Sequence, residues 1–317
     1  MVRRREAQHP LSGGARGGLR RGLSVRMLAF AEQAVNGLMM GSIYVFVALG
    51  MMLIYGVMHV LNFAHGALFM LGGYVAQTIF MRVFDNYLLA VAGAVLFLIL
   101  IGALLERGVF APLRGNLRNQ VIASLGLVLV IQNTVVAVFG PNALQFPVQA
   151  TRATVQLGPL SFAVQHLLII AVGAACVAAL FAFLHLTKLG TALRAVSQNP
   201  RGALVVGIDV EATHKLAFAL SMALAAIGGA LLGPLFLVFP QMGDLPLVKG
   251  LAGIVLGGMG SIPGAVLGGL AIGVIEATST LVLPTDWKDV VVFCTIVVVL
   301  LLRPQGLFGL RTRDDHG

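Results

Sequence analysis

Thr187–Glu211, TKLGTALRAVSQNPRGALVVGIDVE, is a polar, basic island between two long apolar runs, and that contrast decides the fold. The island carries its own helix punctuation. Gly190 is expected to end the preceding helix in a left-handed conformation. Asn199 followed by Pro200 reads as an N-cap and first helical position, because the Asn side chain accepts from an orphan amide and Pro has none to satisfy. Gly207 supplies the stop. The spacing predicts a helix of about two turns, too short to be stable alone, so something must pack against it. That partner is expected outside the membrane.

Working outward, the chain has 317 residues, of which 58% are hydrophobic and 10% charged, with 39 glycines. Its mean hydropathy is +0.96. This composition indicates an all-α polytopic membrane protein. The apolar runs are helix-length and lack the period-2 alternation of barrel strands, which excludes an outer-membrane barrel. Residues 1–26 hold seven of the 21 basic residues and one of the 12 acids, which accounts for +6 of the net charge of +9. This Gly- and Arg-rich stretch has no apolar centre and is no secretory signal; it is expected to be a disordered extension, with Met27 as the true start. Cys176 and Cys294 lie within apolar runs, without a second Cys or a His at metal spacing, and read as small buried hydrophobes. No metal site and no cofactor are expected.

Membrane segments are predicted at about 33–56, 60–81, 88–106, 119–140, 162–186, 215–239, a Gly-rich region at 248–282, and 288–303. No composition break marks a second domain, so 27–309 is one membrane unit with its loop at 187–215 and a short tail at 310–317. Arg107, Arg114 and Arg118 lie in one loop, and Lys188, Arg194, Arg201 and Lys215 in another, two spans apart. Both are placed in the cytoplasm by the bias of basic residues to that side. Met27 then lies outside, against the pull of the basic stretch before it. If 248–282 crosses twice, broken at Ser261-Ile262-Pro263, the count is about eight or nine crossings.

Asn62 and His65, in the run Asn62-Phe63-Ala64-His65-Gly66, are spaced to share one face of a helix near the start of an apolar run. Polar side chains at membrane depth face a partner or a wet cavity. Two readings stand: hydrogen bonds to a neighbouring helix, or the lining or gate of a pathway to which Phe63 and Gly66 also belong. Glycines four apart, at 253 and 257, at 260, 264 and 268, and at 269 and 273, form grooves where helices approach closely. Gly228, Gly229 and Gly233, and Gly37 and Gly41, repeat the pattern. Their density suggests a Gly-rich broken helix pair, with Gly257, Gly260 and Gly264 beside a pathway. Glu276 is expected near the interface, solvated or paired with Lys288. No G-x-x-x-x-G-K-[ST], H-E-x-x-H or G-x-S-x-G stretch occurs. Nucleotide hydrolysis, zinc protease and lipase chemistry therefore lack their residues.

Three stretches together resemble one family. They are Asn36–Tyr74, the 187–211 loop, and Lys249–Ala277 followed by Lys288-Asp289-Val290-Val291 and Arg303-Pro304-Gln305-Gly306. The chain is identified as a member of the LivH-type permease subunits of ABC importers for branched-chain amino acids, over roughly 27–309. In the loop, Gly190, Arg194, Ala195, Asn199, Ala203, Gly207 and Ile208 match that family's docking loop. The resemblance implies a permease without enzymatic activity in the bacterial inner membrane. It also implies a second permease subunit, two cytoplasmic ATPase subunits, a periplasmic substrate-binding protein, surrounding lipid and no nucleic acid. On this view Leu204, Val205 and Val206 give apolar contact to an ATPase groove, and Arg194 and Arg201 orient it. Related permeases carry urea or short amides, so the substrate stays open. A stand-alone secondary transporter or a membrane enzyme is disfavoured, because no fixed charge cluster is expected at mid-membrane depth and no nucleophile and base set occurs.

Overall fold

The computed structural model describes residues 14–148, 153–157 and 160–308. Residues 1–13 of the basic stretch and the tail 310–317 lie outside the described residues. Eleven α-helices are described: α1 (Gly14–Met58), α2 (Ala64–Arg82), α3 (Tyr87–Leu105), α4 (Leu117–Phe139), α5 (Val164–Leu186), α6 (Lys188–Gln198), α7 (Pro200–Val205), α8 (Val210–Leu232), α9 (Asp244–Gly257), α10 (Ile262–Ser279) and α11 (Lys288–Leu302). Six are long and apolar enough to cross a membrane: Met27–Met58, Tyr87–Phe110, Leu117–Phe139, Val164–Leu186, Val210–Leu232 and Ile262–Ser279. The all-α expectation takes one exception. An antiparallel hairpin of β1 (Thr154–Leu157) and β2 (Leu160–Ala163) occupies the loop before α5, with Thr154 opposite Ala163.

α1 is the central post. The most apolar window of α1 is 89% buried, against 11% for α4 and 22% for α3 and α5. Ile43 to Leu49 are all buried, so α1 is apolar on every side because every side meets protein. Its broadest contact is with α10, and the glycine pattern is the reason. A Cβ on Gly41 would sit 2.8 Å from Leu270 Cα, and one on Gly253 would sit 2.8 Å from the Gly269 amide. Backbones therefore touch along one seam joining α1, α10 and α9. Gly253 opposes Gly269 and Gly257 opposes Gly264, so α9 and α10 run antiparallel. On the other side of the post α2 runs parallel to α8, His65 meeting Ser221 and Gly72 meeting Ala226.

The segment expected to begin at residue 60 starts as a helix only at Ala64. His59 has φ 55°, the one described non-Gly residue with a positive φ, and it ends α1. Asn62 then accepts a hydrogen bond from the Ala64 amide at 3.1 Å. Asn62 therefore precedes the helix instead of sharing a face with His65.

Candidate functional site

The 187–211 loop is built as its residues dictate, with one correction. Thr187 closes α5 and opens α6, its Oγ1 accepting from the Gly190 amide at 3.0 Å. Gly190 lies inside α6, where a Cβ would fall 2.5 Å from Leu184 Cα. The expected left-handed stop is thus a close approach: the missing side chain lets α6 fold back on α5. Asn199 Oδ1 accepts from the Gly202 amide at 2.9 Å, with Pro200 at the start of α7. Gly207 has φ 83°, and the Ile208 amide donates to the Ala203 carbonyl at 3.0 Å. This is a left-handed C-cap of the Schellman kind. Asp209 then caps α8 through the Ala212 amide.

These caps hold a helix of six residues whose end is apolar and bare. Ala203 is buried against the body, while Leu204, Val205 and Val206 are 59%, 88% and 74% exposed. Arg201 is exposed beside them. Arg194 and Ala195 sit on α6, and Arg194 faces elsewhere. It lines a cavity of about 550 Å³ between the ends of α1 and α5 and the turn joining α9 to α10.

The pathway candidates do not converge. Asn62 and His65 are fully buried, and neither borders that cavity. His65 Nδ1 lies 3.3 Å from Ser221 Oγ, and its ring fills the space a side chain on Gly50 would take. Phe63 donates its amide to Ser124 Oγ at 3.3 Å, and Gly66 lies against Gly243 and Leu247. Gly257 and Gly264 are spacers between α9 and α10, whereas Gly260, with φ 94°, borders the cavity. His65→Gln is expected to lower folded yield while leaving uptake per folded molecule near wild type, because its setting is packing. Loss of uptake at unchanged folded yield would return His65 to the pathway.

A charge cluster lies buried between the helices. Lys249 Nζ lies 2.5 Å from Glu276 Oε1 and 2.8 Å from Asp289 Oδ1. Tyr44 donates its hydroxyl to Glu276 Oε2 at 2.7 Å. Lys288, the expected partner of Glu276, stands at 3.6 Å. Lys249 and Glu276 are buried, so Glu276 is paired and not solvated. The signal was there: a lone Lys in the apolar run Pro246–Leu256, whose burial demands an acid. A second buried acid, Glu106, pairs with Arg114 across a π-helical turn at Glu106–Phe110. Among the described residues no group of His, Cys, Asp and Glu is arranged to hold a metal.

The family model for "Branched-chain amino acid transport system / permease component" matches residues 33–300. The chain belongs to that permease family. The high-affinity branched-chain amino acid permease LivH of Salmonella typhimurium is 33% identical over 90% of this chain and 98% of its own. BraD of Pseudomonas aeruginosa is 33% identical, covering 88% and 96%. A probable LivH of Methanocaldococcus jannaschii is 31% identical, covering 85% and 89%. The permease match takes in the α6–α7 loop, the glycine seam and the Lys249–Glu276 cluster alike. A buried ion pair is what a stand-alone ion-coupled transporter would carry, so charge placement no longer argues against that reading. Permease membership does.

Proposed function

We propose that this chain is the membrane-spanning permease subunit of an ATP-driven importer in the bacterial inner membrane. Its cargo is a branched-chain or related hydrophobic amino acid, delivered by a periplasmic binding protein. A second permease subunit completes the passage, and two separate cytoplasmic ATPase subunits supply the work. The observation that carries this is the end-to-end match to LivH and BraD, which leaves almost none of their length unaccounted for. Reconstitution with those partners tests it: leucine accumulation should require ATP and the binding protein. Concentrative uptake by the chain alone in vesicles would overturn it.

With the basic loops inside, α1 runs from outside to inside. Six long helices plus α2 and α11 then give eight helical crossings, and the segment 233–243 with α9 makes the return from the outer face to the α9–α10 turn beside the ends of α1 and α5. At 15 residues, α11 spans about 22 Å. We assign Asn62 and His65 to packing and the α6–α7 loop to the ATPase. Gly190, Ala195, Asn199, Pro200, Ala203 and Gly207 shape that loop, while Leu204, Val205, Val206 and Arg201 present it. An exposed apolar triplet on a capped helix is what a groove in a partner receives.

Val205→Asp puts a charge at the most exposed point of the knob, and Gly207→Val forces a β-branched residue into a left-handed backbone. Both are expected to cut ATPase copurification at least about tenfold, as loss of an interface hot spot does, with membrane insertion unchanged. Wild-type copurification and ATP-dependent uptake in both variants would reject the docking assignment.

A further inference from the structure

We infer that the cavity between the ends of α1 and α5 binds the headgroup of an anionic phospholipid. Its wall is largely apolar, with Met52, Leu53 and Leu184 among the lining residues. Tyr55, Ser197, Gln198 and Ser261 are its neutral polar side chains. Three basic side chains, His59, His185 and Arg194, border it, and among the described residues no Asp or Glu does. Arg194 Nε is buried and has no hydrogen-bond partner. The half-buried Arg194 guanidinium carries a fixed positive charge on the cavity wall, and a charge-assisted hydrogen bond to an entering anion would be the strong contact available there. His185 is fixed by Phe181, whose carbonyl lies 2.9 Å from Nδ1 and whose ring stacks on the imidazole at an interplanar angle of 3°. Nε2 is left as its free ring nitrogen.

The surroundings select a lipid over a soluble anion. Beside His185, Leu186 is 83% exposed on the last turn of a helix long and apolar enough to span the membrane. Acyl chains have an apolar wall to follow into the headgroup position. Basic pockets between helix ends on the cytoplasmic side suit anionic headgroups. The inference rests on the orientation proposed above only for the choice of leaflet.

The test is native mass spectrometry of the full chain, with whatever partner subunits it carries, in mild detergent. Phosphatidylglycerol and phosphatidylcholine of identical acyl chains are offered in competition. Wild type should retain the anionic lipid with a preference of about tenfold, the size expected from one or two basic contacts. Arg194→Gln with His185→Gln should abolish the preference, and Arg118→Gln, an exposed arginine elsewhere, should keep it. Gly56→Leu guards against misfolding of the charge variant. A Cβ at Gly56 meets nothing within 4 Å, and Gly56 borders the cavity, so leucine fills the site without touching its charges and should expel the lipid. Equal retention of the two lipids by wild type would overturn the proposal. So would undiminished preference in Gly56→Leu, or displacement of the lipid by millimolar inorganic phosphate, which assigns the site to a soluble anion. Lipid mass is read without transport, so a failed uptake assay leaves this result intact.

Discussion

Lys249→Met should destabilise the folded chain by about 3–5 kcal/mol, the cost of stranding one member of a buried ion pair. Glu276 would keep the Tyr44 hydroxyl at 2.7 Å but lose the ammonium at 2.5 Å. Lys288, at 3.6 Å and 38% exposed at its side chain, is too far out and too solvated to replace it. The cluster ties α9 to α10 through Glu276, to α1 through Tyr44 and to α11 through Asp289, so the loss falls where four helices meet. Lys249→Met with Glu276→Leu should recover most of the stability, because apolar residues of similar volume replace buried pairs at little cost. Melting of the detergent-solubilised chain, followed by size-exclusion profile, measures both. A double variant as unstable as the single one would show that the charges do more than satisfy each other. Uptake by a stable double variant would separate packing from transport.

Gly273→Val should be nearly as severe. A Cβ at Gly273 would overlap the backbone of Gly41 and the Gly37 carbonyl, and backbone cannot swing aside as a side chain can. Overpacking typically costs about 1–3 kcal/mol, and here α1 must part from α10 along the broadest contact in the chain. Gly56→Ala is the control: with open space at its Cβ, it should be neutral or stabilising by about 0.5–1 kcal/mol from helix propensity. Melting temperatures for the two variants decide the matter. A wild-type melt for Gly273→Val would mean that the seam is not close-packed.

The sequence resolved these sites unevenly, and the reasons are physical. The caps at Asn199, Pro200 and Gly207 were readable because capping is local: a side chain three residues from its amide carries its own geometry. Gly190 was misread because two causes produce the same glycine, a positive φ and a close approach, and only the position of Leu184 separates them. Asn62 was placed on a helix because apolar content cannot say where the first turn begins. A lone Lys249 in an apolar run demands an acid but does not say which, because its partners Glu276 and Asp289 are distant in sequence.

Composition and hydropathy alone determined that this chain lives in a membrane as a bundle of helices, because a bilayer leaves backbone amides few other ways to be satisfied. Spacing alone determined where glycines let helices touch and where a short capped helix interrupts the apolar runs. The tertiary structure decided which helix stands at the centre, which glycines face each other and which charges are buried together. Those outcomes depend on contacts between residues far apart in the chain, whose energies exist only once α1, α8, α9 and α10 have closed around one another.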